Sequence, residues 1–233
     1  MKPVRAGLAV LALADARFPG GGHVHSGGVE EAASRGLISA VAELRAFLRG
    51  RLRTAGALQA VFAAAAAHAT TRGVHSGHWR ELDVELDART PSPAQREASR
   101  AQGQGLLRAG RTAWPSPLLD ELVAATPRPH HPIALGALAA VGGAGPREAA
   151  LAAGYLAVSG SSSAAVRLLG LNPFDVNAAV TGLAEELDRI ADQAAATAGA
   201  APADLSAPGS PALDLLAEAH AHHHRKEVRL FAS

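Results

Sequence analysis

Apolar residues recur along this chain at helical spacing, and the breaks between those runs set most of the expected architecture. Leu8 to Asp15 is a short apolar helix closed by Phe18-Pro19, because a residue before proline is pushed out of the helical region. Val41 to Leu48 reads as a helix reaching about Arg53, and Leu58 to Thr70 as a separate, largely buried one. Gly77 to Ala88 mixes Trp79, Leu82, Val84 and Leu86 with charge, as a surface helix does. Pro91-Ser-Pro93 breaks the chain, and a helix then runs to about Arg111. Trp114-Pro-Ser-Pro opens a short helix through Val123, and Thr126 to Pro132 is a rigid turn. Helices over Ile133–Ala140 and Arg147–Leu169 follow, separated by Gly142-Gly-Ala-Gly-Pro146. Asn172 suits an N-cap, Pro173 a first helical position and Asp175 a first turn. Val176, Val180, Leu183, Leu187, Ile190 and Ala194 then form one stripe, which predicts one continuous helix. Thr197 to Pro211 is rich in Ala, Gly, Pro and Ser and reads as a flexible connection, and a last helix runs from Ala212 to about His224. Sustained period-two alternation is missing, so the expectation is all-α: one bundle of about ten helices over residues 1–233, with a flexible connection at 197–211 and a tail at 225–233.

One interval does not fit simple helix joining. Residues 15–30 carry five glycines, a proline, two histidines and a serine directly ahead of a helix-forming run. Ordinary turns join helices in about two to eight residues, so this loop is shaped for something. Ser26 is a plausible N-cap for the next helix, with Glu30 in its first turn. A phosphate cradle is disfavoured, because a Walker loop needs Gly-Lys-Ser/Thr and the dinucleotide fingerprint needs a parallel sheet. A structural turn and a docking surface for another protein remain.

Composition narrows the classes. With 48% apolar and 18% charged residues the chain is globular. A net charge of +1 argues against nucleic acid. Cysteine is absent, which removes disulfides, thiolate metal sites and a cysteine nucleophile, and fits a cytoplasmic protein. Lys2 and Arg5 precede the first apolar run, but no small-residue cleavage site precedes Asp15, so that run is read as a core helix. Ala55 to Ala69 is too short and too alanine-rich to span a bilayer.

Candidate chemistry is sparse. Gly154 and Ser159 to Ala165 crowd one helix with small residues; close helix packing explains them better than a nucleophile, since the Gly-x-Ser-x-Gly pattern is not met. Glu30/Glu31 and Glu185/Glu186 are sequence neighbours that diverge on helices, so no acid–base pair is visible and no catalytic residue is assigned. His220, His223 and His224 are weak metal candidates, because His220 shares a helix face with each of the other two and imidazole suits nickel or zinc. Arg96, Arg100, Arg108 and Arg111 lie within about a third of a turn of one another, and Arg45, Arg49 and Arg53 repeat at four; both stripes read as interface or solvated face.

The loop also resembles a family signature. Leu13, Asp15, Phe18, Pro19, Gly21, Gly22, His25, Ser26, Gly28 and Glu30 fall in the register of the urease accessory protein UreF family, with His23 where an aromatic is usual and Val29 where leucine is usual. Pro93 to Leu107, His131-Pro132-Ile133, Tyr155 to Leu169 and Arg229 to Ser233 match further family segments in order. Two stretches depart from it: Arg167 to Pro173, and His223-His224 with Val228 ahead of Arg229. The resemblance implies a UreF-like all-α fold that dimerises and is not itself an enzyme. It implies a cytoplasmic scaffold for nickel insertion into urease that binds UreD (also called UreH), recruits and modulates the GTPase UreG, and engages apo-urease. Nickel is then the cargo of the complex and no cofactor is held firmly. The implied partner-binding residues are Pro19, Gly21, Gly22, His25, Ser26, Gly28, Glu30, Arg96, Arg100, Arg229, Leu230 and Phe231. A histidine-based nickel metallochaperone acting alone is the alternative.

Overall fold

The computed structural model describes residues 6–15, 17–19 and 26–230, the side chains of residue 6 and of 224–230 excepted. Among the described residues the chain is helical throughout, from α1 (Ala6–Ala14) and α2 (Val29–Ser34) to α12 (Pro211–Leu230).

Three helices make the centre. α4 (Ala57–Arg72) is buried on every side, as a helix without a polar face must be. Its alanines let α8 (His131–Val141) lie against it with the backbones touching: a Cβ on Gly136 would come 2.1 Å from the Ala63 carbonyl oxygen. α9 (Pro146–Leu169) packs on both. It is the one helix among the described residues long and apolar enough to cross a membrane, and 61% of its apolar window is buried inside the fold. α5 (Ser76–Ala88), α6 (Pro93–Ala113) and α7 (Pro117–Ala125) close one side. Trp79, Leu82 and Leu86 of α5 face the core and leave Val84 exposed, so the helix sits half in the body. Ser92 caps α6, its Oγ accepting from the Gln95 amide at 3.1 Å, with Pro93 at the first position.

Several boundaries differ from the sequence reading. The helix over α3 (Val41–Arg51) does not end near Arg53; it passes through a wider π-helical turn, Leu52–Gly56, straight into α4. The stripe from Val176 to Ala194 belongs to two helices, α10 (Pro173–Thr181) and α11 (Ala184–Ala196). The chain turns at Gly182-Leu183, where Leu183 is buried, so α10 can lie on α3 while α11 crosses α9 and α4. Helical spacing survives the bend, which hides it from a periodicity argument. The connection 197–211, flexible by composition, is packed on the body. Ala198, Leu205 and Ser210 are buried, and the Arg89 guanidinium donates to the carbonyls of Ala203 and Leu205 at 3.0 and 3.2 Å. Much of the tail expected at 225–233 continues α12 as helix to Leu230. Ser26 is not the N-cap of α2; that position is Gly28, with φ 93°, and no side chain among the described residues caps the helix.

Candidate functional site

Leu44 and Leu48 of α3 and Leu52, the first residue of the π-helical turn, are buried on one face. Arg51 follows Leu44 by seven residues and Leu48 by three, so a guanidinium is carried in on that same face. Its Nε donates to the Ala157 carbonyl of α9 and its Nη1 to the Gly27 carbonyl, both at 2.7 Å. Three segments distant in sequence are thereby tied at one side chain. The approach is close enough to exclude any side chain at residue 27: a Cβ there would lie 2.4 Å from Ser161 Oγ and 2.9 Å from Arg51 Cζ, and φ is +63°. The small residues of α9 make the room, and the buried hydroxyls of Ser161 and Ser162 donate back to the carbonyls of Ala157 and Ser159, at 3.3 and 2.8 Å.

A cavity of about 1080 Å³ opens beside this junction, between the loop and α6, α9, α10 and α12. Arg51, Gly27, Ser161, Gln95, Asn177 and His220 are among the residues that line it. Arg51 lines the cavity and is half-buried; desolvation draws its pKa down to about 10, so it stays cationic at neutral pH. Among the described residues no carboxylate lies within ion-pairing distance of it.

α12 forms the outer rim, held by polar contacts at two levels. Asp214 Oδ1 accepts from the Ser92 amide at 3.2 Å and from Gln95 Nε2 at 3.0 Å. Glu218 Oε1 accepts from Ser92 Oγ at 2.6 Å and from the Ala94 amide at 2.9 Å. Both carboxylates thus sit at the N-terminus of α6, where free amides and the helix dipole favour negative charge. Burial pushes the Asp214 carboxyl up, and its Oδ2 is buried with no hydrogen-bond partner. Further along, His220 Nε2 lies 3.8 Å from Glu30 and His223 Nδ1 lies 3.1 Å from Glu31. Burial alone would raise Glu31, but Arg35 at 2.7 Å and His223 outweigh it and hold its carboxyl below the ordinary range.

On the far wall is a second polar cluster. Arg100 Nη2 reaches Asp83 at 2.8 Å and Asp87 at 2.6 Å, and its Nη1 donates to the Arg128 carbonyl at 2.7 Å. His130, 1% exposed, contacts Asp87 through Nε2 at 2.9 Å and Ser99 Oγ through Nδ1 at 3.0 Å. Ser99 Oγ also accepts from the His131 amide at 3.1 Å, so one hydroxyl ties the imidazole to the start of α8, while Nε2 donates to the Asp87 carboxylate. Burial lowers the His130 pKa, and the neighbouring carboxylates recover only part of that shift. Asp83, Asp87 and His130 form the one three-ligand convergence among the described residues, and the Arg100 guanidinium already supplies the positive charge a cation would bring.

Of the residues singled out in the sequence, Ser26, Gly28, Glu30 and His220 meet around the cavity. Pro19 is exposed beyond α1. Arg96 donates to the carbonyls of Thr90 and Pro91, at 2.7 and 2.9 Å, and Arg100 is committed to the inner cluster. His220 and His223 each face a carboxylate of α2. Arg229 and Leu230 lie in the last turn of α12, their side chains outside the described residues, as is that of His224. Gly21, Gly22, His25 and Phe231 also lie outside the described residues. Arg51 was missed. The stripe at 45, 49 and 53 drew attention to the outer face of α3, where Arg49 and Arg53 meet Glu186, while the signal was a charge in register with buried leucines.

The site as described is a guanidinium tied to Gly27 beside an open cavity, in a bundle whose central helices meet through small residues. The UreF family model matches residues 38–184. A urease accessory protein UreF from Mycobacterium sp. (strain JLS) is 48% identical over 224 residues, covering 96% of this chain and 97% of that protein. Proteins of the same description from Mycobacterium bovis and Mycolicibacterium vanbaalenii are each 46% identical, covering 91% and 96% of this chain and 92% and 97% of their own lengths. The chain belongs to the UreF family of urease accessory proteins.

Proposed function

We propose that this chain is the docking scaffold of a urease nickel-insertion complex: it binds UreD/UreH, recruits the GTPase UreG and presents both to apo-urease. The observation that carries this reading is the Arg51–Gly27 junction beside the open cavity. A half-buried cation, a side-chain-free backbone bend and a concave mixed surface are recognition chemistry for a protein partner. Family membership supports the urease context. Modulation of nucleotide turnover follows if the scaffold binds one state of UreG more tightly than the other, since a binding partner shifts an equilibrium only by its differential affinity. Nickel is the cargo of the assembly in this reading, and pairing of two copies and action in the cytoplasm belong to it as well. Co-expression of the full chain with UreD and UreG, followed by size-exclusion chromatography, tests it. A co-eluting complex that dissociates when the loop at Gly27 is altered is the expected outcome; separate elution of all three proteins would contradict it.

A further inference from the structure

Arg51 stands apart from the other half-buried arginines. Arg89 meets Glu85, Arg96 meets Asp87, Arg100 meets Asp83 and Asp87, and Arg147 meets Asp188 and Asp192. Arg51 is half-buried and, among the described residues, has two backbone carbonyls as acceptors and no carboxylate. Carbonyl dipoles solvate a guanidinium but leave its charge uncompensated, and a half-buried cation in this state gains from an anion that reaches it. Its Nε and Nη1 are occupied, and Nη2 has no hydrogen-bond acceptor among the described residues. The cavity that reaches it, about 1080 Å³, exceeds the volume of any single side chain and admits a segment of another chain. Gln95 and Asn177 supply amides on the walls, and Leu213 and Leu216 an apolar rim.

We propose that Arg51 is a carboxylate receptor: an aspartate or glutamate side chain of a partner protein enters this cavity and pairs with the free Nη2 edge. This inference rests on the docking reading above and names the chemistry of the contact. The pairing supplies the missing negative charge without disturbing the bonds to Gly27 and Ala157, and a guanidinium fork suits a planar carboxylate. Complex formation and the position of Gly27 are then coupled through one side chain.

The test is a set of double-mutant cycles on the full chain in complex with UreD. Arg51→Gln is combined in turn with Ala at each Asp and Glu of the partner, and dissociation constants are measured. Gly27→Ala serves as a control that disturbs the loop while keeping the charge. The expected result is that Arg51→Gln weakens binding about tenfold or more and that one partner carboxylate shows strong coupling to it, as close interfacial charge pairs do. Gly27→Ala should weaken binding and leave that coupling in place. If Arg51→Gln fails to fold, Arg51→Lys is used in the same cycles, where the point charge retains part of the coupling. Coupling to no partner carboxylate would overturn the inference while leaving the docking reading intact. A rise in melting temperature with phosphate or acetate alone, with no coupling to the partner, would assign the site to a small anion and also overturn it. Failure of the unaltered chain to bind UreD at all would instead remove the docking reading beneath it.

Discussion

The two walls of the cavity handle buried charge in opposite ways. On the α5–α6–α8 side, Arg100, Asp83, Asp87, His130 and Ser99 satisfy one another and close the structure. On the α3–α9–α12 side, among the described residues, Arg51 has no counter-charge, Asp214 leaves Oδ2 unbonded, and a cavity separates the elements. A closed network makes a rigid wall, and an incomplete one marks a place where a further group fits. Stability should therefore concentrate on the first wall and recognition on the second.

The largest effect should come from opening the closed wall. Arg100→Met leaves two carboxylates facing each other in a region where Asp83 is only 10% exposed, and removing one partner of a buried pair costs about 3 kcal/mol or more. Chemical denaturation should register that loss, and a change below about 1 kcal/mol would show the network to be no stronger than a surface pair. Gly136→Ala forces a Cβ to 2.1 Å from the Ala63 carbonyl and should cost about 2 kcal/mol by overpacking. Gly27→Ala is the matching change on the open wall. Its positive φ and the contact with Ser161 predict a cost of about 1–2 kcal/mol, with a larger effect on partner binding than on melting temperature. The reverse order would mean that the junction is structural only.

These expectations also mark what the sequence carried. The all-α class, the Ser92–Pro93 start of α6 and the extent of α9 were legible because caps, proline and composition act locally. The π-helical turn at Leu52–Gly56 was not, since nothing local distinguishes it from a continuing helix, and neither was the bend at Gly182, since Leu183 kept the apolar spacing. For the site, the loop announced itself through its glycines. Its partner Arg51 is one arginine among many until the leucines in register with it are known to be buried. The order of the 197–211 connection depends on Arg89, which lies in another part of the chain. Composition is blind to such a tether.

Smaller effects sharpen the comparison further. An unfolded histidine takes up a proton near pH 6.5, whereas burial holds the His130 pKa below that value. Below pH 6.5 the unfolded state therefore binds more protons than the native one. The stability that His130 contributes is complete above that pH and falls as pH drops toward its folded pKa. Melting curves from pH 7.5 to 5 should show this decline, and His130→Gln should flatten it; a slope of opposite sign would mean that the imidazole is a charged partner of Asp87. Asp214 runs the other way. Its raised pKa means that ionisation costs stability above the folded value, so Asp214→Asn should stabilise by about 1 kcal/mol by removing an unpaired buried charge. A loss on this substitution would show that its carboxylate earns more at the N-terminus of α6 than burial costs.

The claim that the open wall is the recognition surface is most directly tested by amide hydrogen exchange on the full chain, alone and with UreD bound. The account predicts new protection at residues 26–30, around Arg51, along 157–163 and on α12, with the α5–α6–α8 wall unchanged. Protection confined to the closed wall, or a complex that leaves the cavity residues exchanging as before, would contradict it.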